Sequence, residues 1–140
     1  MVITTPEKAA ELGAAPFARF KSCAVAGADP RKTHLTVPAA VNKALKAAGM
    51  TIDQMALIEI QEAFAAQVLA DLVHMKVGTD EFKKVNVNGS GISLGHPIAC
   101  TGTLVLFTLL HEMRRSGKKH ALECICGGGG LGIAAVLKSI

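Results

Sequence analysis

The chain has 140 residues, which is enough for one domain with a sizeable buried core. Half of the residues are hydrophobic and 19% are charged, a composition that excludes an intrinsically disordered chain. The net charge is +4, but the chain has no Trp and no Tyr, so we do not expect a nucleic-acid-binding surface of basic and aromatic residues.

The mean hydropathy of +0.38 is high for a small domain. Such a value is typical of a sheet buried on both faces or of a surface that pairs with a partner, and we expect an extensive apolar interface. Residues 85–111 lack Asp, Glu, Lys and Arg, but their longest mostly apolar piece, residues 104–110, is far shorter than the roughly 20 residues of a membrane span. We therefore predict no transmembrane helix, and the N-terminus has no signal-peptide pattern.

Helices and strands are predicted to alternate along the chain. Thr4 and Glu7 are typical of a capping box, while Pro38 favours a helix start and Gly49 and Gly117 favour helix ends. The predicted elements are a short helix in a lead-in over residues 1–16, a strand over 17–26, a helix over 38–48, a strand over 56–60, a helix over 64–75, a strand over 85–88 and a helix over 98–116.

The last two predicted elements are strands over residues 120–126 and 131–137, separated by a run of four glycines. A gap that short joins antiparallel neighbours and cannot join parallel ones. The sequence therefore predicts one α/β domain of order βαβαβαββ, with a mixed five-stranded sheet, one antiparallel strand and helices on both faces.

Four cysteines, Cys23, Cys100, Cys124 and Cys126, do not form a dense disulfide framework. Cys124 and Cys126 are two apart on a predicted strand and are expected on the same face. No other Cys or His lies at ligand spacing nearby, so we predict no metal site. Reduced thiols indicate a cytoplasmic protein, with an organelle matrix as the alternative.

Sites in open α/β sheets gather in loops outside the carboxyl ends of the strands, here residues 61–64, 86–97 and 126–130. The glycine run matches G-x-G-x-x-G, but no βαβ unit follows it, and no glycine precedes Lys138 as a phosphate-binding loop requires. A bare backbone remains, which can offer N–H groups to an oxyanion. Beside it, Cys126 is either a buried thiol or an acid/base, and His96 is either structural or faces a cleft.

Three segments resemble thiolase signatures in order and spacing. The first is Gln61-Glu-Ala-Phe-Ala-Ala-Gln67, the second runs from Asn86-Val-Asn-Gly89 to Gly95-His-Pro-Ile98, and the third is Cys126-Gly-Gly-Gly-Gly-Leu-Gly132. Two further segments, Ala24-Val-Ala-Gly-Ala-Asp-Pro30 and Val37-Pro-Ala39, are also similar to thiolase sequences. The resemblance covers essentially all 140 residues. It implies the second of two similar βαβαβαββ domains in an enzyme that makes or cleaves 3-ketoacyl-CoA thioesters.

The resemblance also implies roles for individual residues. His96 would activate a nucleophilic cysteine and help to bind the thioester oxygen, and Cys126 would move the proton at the α-carbon. The N–H of Gly128 would contribute to an oxyanion hole, and Phe64 and Gly127 would line the substrate site. No metal and no cofactor are expected, because the coenzyme A thioesters are themselves the substrates.

The chain departs from the thiolase pattern in two ways. Gln61 stands where the family usually has the Asn that holds a water in the oxyanion hole, so the amide sits one methylene further out. Thiolases also carry the nucleophilic cysteine in an N-terminal domain, and neither Cys23 nor Cys100 has its motif. We therefore expect a partner chain or large subunit with that domain, within a homo- or hetero-oligomer that binds neither nucleic acid nor membrane.

Two other functions fit the same residues less well. A thiolase-like scaffold without catalysis would have no use for a thiol beside an open glycine loop. The related ketoacyl synthases share the fold, but they typically place a second histidine at the position of Cys126.

Overall fold

A computed structural model describes all residues, 1–140, as alternating helices and strands. The strands are β1 (Ala18–Gly27), β2 (Leu57–Ile60), β3 (His120–Gly127) and β4 (Leu131–Ser139). The helices are α1 (Pro6–Glu11), α2 (Thr36–Ala48), α3 (Ala65–His74), α4 (Gly91–Leu94) and α5 (Thr101–Ser116), and short 3-10 helices span Pro30–Leu35, Ile52–Gln54 and Thr79–Lys84. No helix is both long enough and apolar enough to cross a membrane.

The sheet has four strands in the order β1-β4-β3-β2. Strands β2 and β3 are parallel, with Ile60 paired to Cys124, whereas β4 runs antiparallel to both of its neighbours. The predicted single antiparallel strand and the terminal hairpin are therefore confirmed. Because β2 and β3 run the same way, their carboxyl ends meet at one edge of the sheet.

The five-strand count is not confirmed, because residues 85–88 form only a bridge between Val85 and Ile58. The backbone leaves the strand conformation at Asn86, which has a φ of 46°. The Asn86 side chain accepts a hydrogen bond from the Ile60 N–H at 2.7 Å and donates one to the Ile60 carbonyl at 3.0 Å. A side chain thus takes the place of the main-chain ladder that a fifth strand would supply.

Helices cover both faces of the sheet, as predicted. On one face, α2 and α3 enclose a core that includes Val41, Val68, Ile58, Leu122 and Val136. On the other face, α5 packs Leu106, Leu109 and Met113 against Leu57, Ala121 and Leu137. Burial of each Val, Leu, Ile or Met side chain in these cores contributes about 1.5–3 kcal/mol relative to an exposed position.

Several element boundaries differ from the predictions. The cap of α1 is Thr5 and not Thr4, and its side chain accepts from the Lys8 N–H at 3.3 Å. Helix α2 begins before Pro38, at Thr36, and α5 begins at Thr101 after a turn in which the Cys100 N–H donates to the Pro97 carbonyl at 2.7 Å. The short helix α4 lies inside the segment of residues 86–97, which was predicted as a loop. The predicted ends at Gly49 and Gly117 are confirmed, since both adopt left-handed conformations with φ of 65° and 66°.

Candidate active site

The three predicted site loops meet at the carboxyl edge of β2 and β3. The N–H of Gln61 continues the parallel ladder by donating to the Cys124 carbonyl at 3.1 Å. On the other side of β2, the Asn86 N–H donates to the Ile58 carbonyl at 2.9 Å. The loop of residues 86–97, the segment 61–64 and the end of β3 are therefore neighbours at one edge.

The Glu62 side chain connects the loop of residues 86–97, here called the long loop, to the end of β2 through two hydrogen bonds. One carboxylate oxygen accepts from the Asn86 side chain at 3.1 Å, and the other accepts from the Ile92 N–H at 3.0 Å. Together with the bonds between Asn86 and Ile60, these contacts fix the path of the loop towards His96. Neither Glu62 nor Asn86 was singled out from the sequence, although both lie in the segments that resemble thiolase motifs.

The side chain of Gln61 is buried beneath this loop, with 1% of its surface exposed. The loop backbone passes close to this side chain, since a Cβ atom added to Gly91 would lie 2.5 Å from the Gln61 amide nitrogen and the side chain would have to shift. Neither the nitrogen nor the oxygen of the amide has a hydrogen-bond partner within the chain. A buried amide with both groups free can bind a water or a substrate oxygen.

His96 lies at the end of the loop, between Gly95 with a φ of 93° and the turn that leads into α5. The residue is exposed, and its Nδ1 atom lies 2.7 Å from the hydroxyl oxygen of Thr101, the first residue of α5. This bond holds one edge of the ring and leaves Nε2 accessible. Within the chain, His96 makes no hydrogen bond to Cys126 or to Gln61.

Cys126 lies near the end of β3, opposite Gly132 of β4, and is partly buried. Burial raises the pKa of its thiol, and the nearby Asp71 carboxylate raises it further. The thiol is therefore neutral near pH 7 and can donate a proton. Cys124 shares this face, as predicted from the spacing, but it is fully buried and lies 3.7 Å from the Glu59 carbonyl oxygen.

The glycine run forms the turn between β3 and β4. Gly130 has a φ of 79°, and a Cβ there would lie 2.3 Å from the Ala28 carbonyl oxygen, so the position requires glycine. Gly128 is exposed, has open space around it, and its N–H makes no hydrogen bond within the chain. This free donor lies two residues after Cys126, and Gly127 is the last residue of β3 between them.

Phe64 lies immediately before α3 and exposes 73% of its surface. A phenyl ring at this exposure contacts little of its own chain. Further exposed apolar residues lie in and just after the long loop and on α5, namely Val87, Ile92, Leu94, Ile98 and Phe107.

Three buried carboxyl groups near the site were missed. Glu59 and Glu123 are paired across β2 and β3, and burial raises the pKa of Glu59 to about 8 and that of Glu123 to about 7. Asp71 of α3 is fully buried, accepts a hydrogen bond from Gln67, and has a pKa raised by burial to about 7. A charged residue inside an otherwise apolar strand or helix face was the only available signal.

Comparisons with known proteins agree with one another. The sequence profile of the thiolase C-terminal domain matches residues 14–139. An acetyl-CoA acetyltransferase of Syntrophomonas wolfei is 45% identical over 141 residues, which cover 100% of this chain and 35% of the relative. A 3-ketoacyl-CoA thiolase of Bacillus subtilis is 43% identical over 132 residues, 94% of this chain and 33% of the relative.

Solved structures give the same picture. The crystal structure of the Bacillus anthracis acetyl-CoA acetyltransferase has a TM-score of 0.92 and 39% identity, over 98% of this chain and 34% of that one. Human mitochondrial 3-ketoacyl-CoA thiolase in complex with CoA has a TM-score of 0.91 and 37% identity, over 96% of this chain and 34% of that one. The chain thus spans about a third of the length of the relatives it matches.

Proposed function

This chain belongs to the thiolase family, in which it corresponds to the C-terminal domain, and we propose that it supplies the activating histidine and the acid/base cysteine of a thiolase active site. The reaction would be acyl transfer between coenzyme A thioesters, by cleavage of a 3-ketoacyl-CoA or by the reverse condensation. The observation that carries the proposal is the position of Cys126. Its neutral, half-buried thiol lies at the end of β3, two residues from the unbonded N–H of Gly128.

In the cleavage direction, Nε2 of His96 takes the proton of a nucleophilic cysteine supplied by an N-terminal thiolase domain. The thiolate attacks the 3-keto carbon, and the bond between the α-carbon and the keto carbon breaks. The electron pair remains on the α-carbon, which receives the proton of the Cys126 thiol. The Cys126 thiolate then takes the proton of a free coenzyme A thiol. The resulting thiolate attacks the acyl-enzyme, and the nucleophilic cysteine leaves as a thiolate that recovers its proton from His96.

Two sets of donors would stabilise the negative oxygens that form in this sequence. The Gly128 N–H is exposed and unbonded, and it would stabilise the oxyanion of the acyl-enzyme. The buried amide of Gln61 would hold a water next to His96, as the family's Asn does. Phe64 and Gly127 would line the pocket for the acyl group.

The proposal includes a partner that carries the N-terminal thiolase half. The chain matches only about 35% of a curated relative, and its own surface exposes apolar side chains around the candidate site, such as Phe64, Ile92 and Ile98. A stable interface buries on the order of 1,200–2,000 Å² in total, and such side chains are suited to its centre. The binding partners would be acyl-CoA, coenzyme A and a polypeptide with the N-terminal thiolase domain, within a homo- or hetero-oligomer.

A chimera tests the proposal directly. Residues 14–139 of this chain would replace the matching segment of the Syntrophomonas wolfei acetyl-CoA acetyltransferase, and cleavage of acetoacetyl-CoA with coenzyme A would be measured. We expect turnover that is lost in the Cys126→Ala chimera and kept in a Cys23→Ala chimera. A folded, oligomeric but inactive chimera would instead favour a role in assembly without catalysis.

A further inference from the structure

The hydrogen bond between His96 and Thr101 bears on which ring nitrogen of His96 carries the proton. The Thr101 hydroxyl oxygen lies 2.7 Å from Nδ1 of His96, and the hydroxyl donates to the Pro97 carbonyl oxygen at 3.0 Å. A threonine hydroxyl has a single hydrogen, and a carbonyl oxygen can only accept. With the hydroxyl hydrogen directed at Pro97, the oxygen accepts from His96 and Nδ1 carries a proton, whereas a hydroxyl that donated to Nδ1 would place the proton on Nε2.

The proton on Nδ1 determines what the other nitrogen can do. In a neutral imidazole only one nitrogen is protonated, so Nε2 of His96 holds a free lone pair. A lone pair on the exposed nitrogen is what a general base needs. A neutral histidine side chain in water favours the opposite tautomer, with the proton on Nε2, so the bond to Thr101 changes the intrinsic preference.

We propose that Thr101 is a positioning residue, whose hydroxyl fixes the Nδ1–H tautomer of His96 and thereby presents Nε2 as the base for the nucleophile. This inference rests on the proposed function for its catalytic meaning, whereas the tautomer itself is a property of this chain.

The surroundings of Thr101 suit it to this task. The residue has 1% of its surface exposed, and its own N–H donates to the same Pro97 carbonyl at 2.9 Å. The hydroxyl is thus attached to the first turn of α5 and is shielded from competing water. An exposed imidazole, which has few other contacts, is held by a rigid and buried partner.

The ring nitrogens of His96 can be observed in the 140-residue chain itself. At about pH 8.5, long-range ¹H–¹⁵N NMR spectra distinguish the two tautomers of a neutral imidazole. The His96→Ala spectrum assigns the signals among the five histidines. We expect the wild-type ring to be protonated at Nδ1, and a wild-type ring protonated at Nε2 would overturn the proposal.

Two substitutions isolate the hydroxyl. Thr101→Val keeps the buried shape and removes the oxygen, so most of the His96 population should move to the Nε2–H tautomer. Thr101→Ser keeps the hydroxyl and should retain the wild-type tautomer. An unchanged tautomer in a folded Thr101→Val chain, judged by its thermal unfolding and amide spectrum, would also overturn the proposal.

The same variants in the chimera separate this inference from the proposed function. Thr101→Val should slow acylation of the nucleophile by about 10-fold or more, which is a part of the 10²–10⁴-fold rate increase that a general base contributes. Thr101→Ser should retain most of the parent rate. The expected tautomers together with an inactive parent chimera would contradict the proposed function alone. An active chimera whose acylation rate is unaffected by Thr101→Val would contradict the role of Thr101.

Discussion

The side chain of Asn86 is hydrogen bonded to both main-chain groups of Ile60, accepting from its N–H at 2.7 Å and donating to its carbonyl at 3.0 Å. This pair occupies the edge of β2 where another strand would otherwise continue the sheet. The long loop that reaches His96 therefore begins at a point fixed to the sheet by a side chain. The position of the candidate base depends on that attachment.

Replacement of Asn86 by Ala should destabilise the chain. The substitution leaves the Ile60 N–H and carbonyl without their partners, and a buried unpaired group costs about 1–3 kcal/mol. Urea unfolding of the Asn86→Ala chain should show that loss in the free energy of unfolding. Asn88→Ala is the matched control in the same loop, because the exposed Asn88 makes a single bond, to Glu112 at 3.1 Å. Equal effects of the two substitutions would contradict the attachment role.

The stability of the chain should decrease as the pH rises from about 5 to about 9. Burial raises the pKa of Glu59 from 4.5 to about 8, that of Glu123 from 4.5 to about 7, and that of Asp71 from 3.8 to about 7. The folded chain keeps these protons where the unfolded chain has released them, so the stabilisation is complete below pH 4 and is lost as the pH passes 7 to 8. We expect a decrease of about 2 kcal/mol or more in the free energy of unfolding.

Urea unfolding between pH 5 and pH 9 measures this dependence. Glu123→Gln removes one of the three groups and should make the decrease smaller, because glutamine carries no titratable proton. Asp53→Asn, at an exposed position, should leave the profile unchanged. Stability that increases steadily over this range would contradict the buried, protonated state of the three carboxyl groups.

The alternation of helices and strands could be predicted because it depends on local patterns. Gly49 and Gly117 are the left-handed residues that end α2 and α5, and four glycines are too few to connect parallel strands. The missing fifth strand could not be predicted, since the bonds between Asn86 and Ile60 are contacts between residues 26 positions apart. A strand-like apolar pattern looks the same whether the main chain pairs with β2 or a side chain such as Asn86 makes those hydrogen bonds instead.

The candidate site shows the same limit. Motifs that resemble thiolase segments predicted His96, Cys126 and Gln61, and the topology of the sheet explains why their loops share one edge. Thr101 and Glu62 support the site through hydrogen bonds to His96 and to the long loop, and the sequence spacing does not show that these bonds form. The buried carboxyl group of Asp71 near Cys126 was also missed, because hydrophobic patterns do not register the surroundings of a single carboxyl group.

The four thiols should react with iodoacetamide in a defined order. The thiolate is the reactive form, so exposure and a low pKa both favour alkylation. Cys23 and Cys100 are exposed and should react first, whereas the partly buried Cys126, whose pKa burial raises, should follow more slowly. Cys124 is fully buried and should react only on unfolding. Mass spectrometry of digested samples over time gives the order, and alkylation of Cys126 before Cys23 would contradict a neutral thiol.

Cys126 and His96 should fail at different steps of the reaction in the chimera. Cys126→Ala removes the proton donor for the α-carbon but leaves His96 to activate the nucleophile. The enzyme should still form an acyl-enzyme from an acyl-CoA, while cleavage or formation of the carbon–carbon bond falls by about 10²–10⁴-fold. His96→Ala should slow the acylation itself, because the nucleophile loses its base.

Trapping the acyl-enzyme and measuring its mass separates the two defects. Rapid acylation without carbon–carbon chemistry is expected for Cys126→Ala, and slow acylation is expected for His96→Ala. Cys23→Ala, on the far edge strand β1, serves as the control and should match the parent in both steps. If Cys126→Ala retained carbon–carbon chemistry at the parent rate, its thiol would have only a packing role beside Gly132, and the proton at the α-carbon would have to move through another group.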